Sequence, residues 1–141
     1  DVEEYSKAVL YLERALKISV NNITVIRTLA LAYDQMNSYE KALQFYILEC
    51  NNSPKSISSW EKRINLLYRM DDEVKAKDCL NEIIRLLGDT LEANLMALSV
   101  AISWYWEEEA IEITNKSKKR WGDDVQTKVS KIWNEHWNKE I

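Results

Sequence analysis

The chain has 141 residues, a formal net charge of −4 and 46% apolar residues, enough for one domain that buries a core without disulfides or metal. Two glycines and one proline leave little material for tight turns and disfavour strand-rich folds, and the acidic balance lacks the basic excess of a nucleic-acid binder. The dominantly apolar run at 95–106 is interrupted by Ser99 and Ser103 and is too short to span a bilayer.

Taken in order, residues 3–19 place Tyr5, Ala8, Val9, Leu12, Ala15, Leu16 and Ile18 on an amphipathic helical stripe. Asn21 or Asn22 caps a second helix over 23–36, with Val25, Ile26, Leu29, Ala30, Ala32, Tyr33 and Met36 turned inward. Asn37 and Ser38 form a short turn before a helix at 39–52. Ser53 and Pro54 predict the next helix start, running to Met70. Asp71 and Asp72 restart the chain into 73–87, and Gly88 stands where a left-handed residue ends a helix. A capping box at Asp89 to Glu92 opens the apolar helix at 91–105. Glu107, Glu108 and Glu109 then begin, and Lys118, Lys119 and Arg120 close, a helix whose charges oppose its dipole. After Gly122 a last helix at 124–139 carries Val125, Val129, Ile132, Trp133, His136 and Trp137 on one face, as a lid would.

Ala8, Ala42, Ala76 and Ala110 recur every 34 residues, and so do Val20, Pro54, Gly88 and Gly122 at the turns between. Tyr39, Ala42, Tyr46 and Pro54, preceded by Leu29, Ala30 and Tyr33, carry the pattern most completely; the next unit keeps Trp60, Leu67, Ala76 and Leu80. This resembles the tetratricopeptide repeat. The resemblance implies an all-α fold, a right-handed α-solenoid of antiparallel helix pairs that binds proteins or peptides. Units fall at 23–56, 57–90 and 91–124, after a half-repeat at 1–22 and before the capping helix at 124–139. The missing half and the initial Asp1 suggest a piece of a longer protein, whose remainder would stack on the half-repeat around Val9 and Leu12. Arg63, Ile64 and Glu49 depart from the family pattern, which fades towards the third unit. A related reading is the half-a-tetratricopeptide repeat of RNA-processing scaffolds, which Trp60 matches but the residues after it do not.

Catalytic chemistry finds little to build on, so we expect no enzyme and no cofactor. His136 is the single histidine, and Cys50 and Cys79 are 29 residues apart without a CxxC or histidine pair, which argues against zinc. Two free thiols fit an intracellular, cytoplasmic or nuclear protein. Lys116, Lys118, Lys119, Arg120 and Trp121 form a basic cluster that a solvated helix end explains.

What the resemblance implies is a partner groove lined by first-helix residues: Arg27, Leu31, Asp34 and Gln35; Glu61, Asn65, Tyr68 and Arg69; Leu95, Ser99 and Ile102. The carboxylate clamp by which some family members hold heat-shock chaperones is not matched, because Leu31 and Glu92 stand where amide and cation are needed. The apolar helix leaves two outcomes open: either the last two helices cover it, with Trp133 and Trp137 over Trp104, or Leu95, Ile102 and Trp106 remain open to a partner. The expected function is a non-catalytic interaction module, with an RNA-processing scaffold or a non-catalytic segment of a larger enzyme as alternatives.

Overall fold

A computed structural model describes residues 1–137, with side chains as far as Glu135. The elements are α1 (Val2–Ile18), α2 (Ile23–Gln35), α3 (Tyr39–Asn52), α4 (Ile57–Arg69), α5 (Glu73–Leu87), α6 (Leu91–Ser103), α7 (Glu107–Trp121), a 3₁₀ turn (Gly122–Val125) and α8 (Gln126–Trp137). The fold is all-α among the described residues. The predicted end of the last helix at 139, and the side chains of His136 and Trp137, lie outside what is described. The chain divides inside α5 into two compact units, Asp1–Cys79 and Leu80–Ile141.

The caps are local chemistry. The Asp1 carboxylate accepts from the Glu3 amide at 2.7 Å, Asn22 Oδ1 from Val25 at 3.2 Å, and Thr90 Oγ1 from Ala93 at 3.4 Å, so each satisfies an N–H that has no intrahelical acceptor.

Several starts and stops differ from expectation: α6 is capped by Thr90, not by the Asp89 of a capping box, and ends at Ser103. The fourth helix begins at Ile57, not after Ser53, because the Ser56 amide donates to the Ser53 carbonyl at 2.9 Å and closes a turn in which Pro54 presets the backbone. Gly88 ends α5 without a left-handed backbone; a Cβ there would stand 2.1 Å from the Ile84 carbonyl oxygen. Close approach, rather than handedness, therefore demands a glycine.

Gly122, after α7, does have a positive φ of 64°, and the non-glycine residues with positive φ sit inside the hairpins, at Asn37, Asp71 and Tyr105, with φ of 58°, 61° and 61°. They too are 34 apart. Each lets the following amide reach back to the last turn: Ser38 to Tyr33 O at 2.9 Å, Asp72 to Leu67 O at 3.0 Å, and Trp106 to Ala101 O at 2.8 Å. This is one C-terminal capping motif used three times.

In the first unit Leu29, Ala30, Tyr33, Ala42, Tyr46 and Leu66 form the core, with Val9 of α1 among them. Ala42 and Ala76 are fully buried, as a close helix contact requires. Their counterpart Ala8 is exposed, since among the described residues α1 packs on α2 and no helix lies against its other side. Val9 and Leu12, expected at the outer edge, pack inward instead. Val2, Leu10, Tyr11 and Ile18 are the large apolar residues of α1 left outside, the last two at 68% and 89% exposure.

In the second unit α7 and α8 both pack on α6. Val125, Val129 and Trp133 are buried, and the Trp133 indole donates to Thr114 Oγ1 on α7 at 2.9 Å. Ile102 and Trp106 are enclosed, so of the two outcomes left open by the sequence, covering holds for both residues.

Candidate interaction surface

The candidate residues of the first unit come from α2 and α4. Leu31 is 44% exposed, and Gln35 and Glu61 are open to solvent. Asn65 and Tyr68 are half-buried. Each falls on its helix between the fully buried positions, so it shows one edge while the core holds its backbone still.

Three of the charged candidates, Arg27, Asp34 and Arg69, are engaged within the fold. Arg27 Nε donates to Glu49 Oε1 at 2.7 Å, and Glu49 is 1% exposed while Arg27 remains 43% exposed. A buried carboxylate is tolerable only with such a partner, which explains why a glutamate interrupts the family pattern at this position. Its second oxygen has no hydrogen-bond partner among the described residues, so the Arg27 bond carries most of the compensation.

Arg69 grips Asp34 with both terminal nitrogens, at 3.1 and 2.9 Å, and Tyr46 donates to the same carboxylate at 2.8 Å. The guanidinium also lies 5.6 Å from the Tyr39 ring centre. Hydrogen bonds to Asp34 hold Arg69 above its ordinary pKa. Burial, and then the bond to Asp34, raise that of Tyr46. A forked pair of this geometry is among the stronger ion pairs. Arg69 and Asp34 are thus coupled to each other, joining α4 to α2, while the Arg69 side chain stays 41% exposed.

The second unit supplies Leu95, Ser99 and Ile102 from α6. Leu95 and Ser99 are half-buried, whereas Ile102 is fully enclosed. Ile102 is therefore a core residue and drops out of the open surface; α6 is apolar on nearly every side, and a helix of that kind is packed on several faces.

Trp60 has a positioning role that its repeat equivalents clarify. Its indole donates to the Pro54 carbonyl at 2.9 Å. One unit on, Asn94 donates to the Gly88 carbonyl at 2.9 Å. Different side chains at one repeat position tie down the same turn, so Trp60 belongs to the scaffold.

Cys50 and Cys79 are buried and free. Burial pushes the Cys50 thiol up to about 11 despite a hydrogen bond from Arg63. A protonated, enclosed thiol is a poor nucleophile. The Arg69 and Asp34 pair was missed in the sequence, although two opposite charges 35 positions apart, one repeat plus one residue, were a usable signal.

No family model matches the chain. A stretch of 89 residues is 30% identical to Anaphase-promoting complex subunit 3 of Schizosaccharomyces pombe, covering 63% of this chain but 13% of that protein. Among solved structures, a tetratricopeptide repeat protein from Parabacteroides merdae superposes with a TM-score of 0.60 over 93% of this chain and 52% of the other, at 18% identity. At that identity the likeness carries the fold alone.

Proposed function

From a tetratricopeptide-repeat fold we propose that this chain is a non-catalytic protein-interaction module that helps to scaffold an intracellular multiprotein complex. The observation that carries the reading is the arrangement on α2 and α4: Leu31, Gln35 and Glu61 stand open beside half-buried Asn65 and Tyr68, on helices clamped to each other by Arg69 and Asp34. A rigid frame with an exposed mixed edge suits an extended or helical partner segment, because little conformational freedom has to be lost on binding. The similarity to a subunit of the anaphase-promoting complex supports assembly with other proteins as the role. In the second unit, Leu95 and Ser99 are the remaining groove candidates. The exposed Tyr11 and Ile18 on α1 offer a second contact, where a further helical repeat would stack.

Affinity capture with the chain, run beside a Leu31→Ala, Gln35→Ala, Glu61→Ala variant, tests the groove. We expect a stoichiometric protein partner that the wild type retains and the variant loses by at least about tenfold, with unchanged circular dichroism. Equal capture by both would remove this edge from the reading. Retention of RNA in place of protein would favour the RNA-processing alternative.

A further inference from the structure

The second unit contains a concavity of about 760 Å³ that uses none of the groove candidates. Its size is that of a ligand cleft rather than a packing flaw. Arg85 comes to the lining from α5, and Lys116, Lys119, Arg120 and Trp121 from α7, with Asp89 as the one acid of the lining.

The balance of charge inside it is uneven. Arg85 is held by Glu82 at 2.6 Å and Lys116 by Glu112 at 2.6 Å. Among the described residues, Lys119 and Arg120 pair with no carboxylate. Arg120 instead lies over Trp121, 5.4 Å from its ring centre. Cations at the end of α7 offset its dipole, and that accounts for their presence on the helix. It does not account for the convergence of Arg85, from another helix, on the same hollow. The turn that leads into α6 also borders the cleft, and a helix N-terminus adds positive potential. A chain of net charge −4 has thus gathered a local positive site beside an aromatic ring.

We propose that this cleft receives an acidic polypeptide segment of a partner protein, with carboxylates on Lys119 and Arg120 and an apolar side chain against Trp121. Charge-assisted hydrogen bonds to the two uncompensated cations supply orientation, and the half-buried indole supplies a rigid apolar platform. A peptide fits better than a nucleic acid. A phosphate backbone is charged throughout its length, so it would run from the cations onto Glu82, Asp89 and Glu112, whereas a peptide places carboxylates only where cations wait.

The test is a titration of the ¹⁵N-labelled 141-residue chain with a short synthetic peptide of Glu and Asp around one Phe, followed by NMR. We expect shift changes at the amides of 116–121 and at the Trp121 indole, weakening as salt rises from about 50 to about 300 mM. Lys119→Glu with Arg120→Glu should reduce affinity by about tenfold or more, with the circular dichroism of a folded chain and a small fall in melting temperature, because anions there oppose the helix dipole. If that variant does not fold, Lys119→Gln with Arg120→Gln serves the same purpose. The proposal is overturned by shifts elsewhere only, by equal binding of the peptide with Gln and Asn for Glu and Asp, or by indifference to a folded variant. Tighter binding of single-stranded RNA or phosphatidylserine vesicles at these residues would also overturn it. The Leu31, Gln35 and Glu61 variant should bind the peptide like wild type, so failure here and failure of the groove reading are separable.

Discussion

Tyr105 is a residue whose backbone is at odds with its side chain. At φ 61° and 78% exposure it occupies a left-handed turn that its equivalents fill with Asn37 and Asp71, two residue types that tolerate such a backbone. The turn geometry is imposed by the Schellman-type bonds on either side, which require a left-handed residue whatever its identity. Tyr105→Gly should therefore raise stability by about 1 kcal/mol, read from the midpoint of urea unfolding. A loss of stability would mean that the tyrosine ring contributes more to the fold than its backbone conformation costs. Arg69 shows the converse case. It is a candidate for the recognition surface whose guanidinium also holds Asp34, so a change there confounds binding with stability.

At the scale of helices, the alanine repeat separates packed from unpacked surfaces. Ala42 is fully buried, where α2 and α3 approach closely, while Ala8 of α1 is exposed. Ala42→Leu should cost about 1–3 kcal/mol through overpacking. Ala8→Leu in the same chain should shift stability by less than about 0.5 kcal/mol. Thermal melts of the two variants check both values, and equal effects would contradict the close contact at Ala42. Helix existence and register were legible here because apolar spacing and a 34-residue period are local properties of the chain. The displaced start of α4 was less legible: Ser53 and Pro54 suit a helix cap and a turn alike, and the Ser56 to Ser53 bond selects the turn.

For the folded molecule, the buried thiol and phenol set an alkaline limit. Burial holds Cys50 at about 11, and burial followed by the hydrogen bond to Glu13 holds Tyr33 at about 12. The unfolded chain releases both protons earlier, so the folded state binds more protons in this range and stability falls as pH rises. The contribution is complete below about pH 9 and is lost on passing through about 9–12. Melting temperature should decline across that window, less steeply in Cys50→Ala between about pH 9 and 11 and in Tyr33→Phe between about 10 and 12. An unchanged slope in both variants would assign alkaline unfolding to other groups.

The sequence by itself determined that the chain is helical, that its units repeat every 34 residues and that small residues mark the close helix contacts, because periodicity and residue size act over one or two turns. Tertiary structure decided what those elements leave accessible. It closed Ile102 into the core, joined Arg69 to Asp34 across 35 positions and brought Arg85 to the same cleft as Lys119 and Arg120. Burial and charge pairing depend on which helices meet, and residues that meet through packing have no fixed separation along the chain.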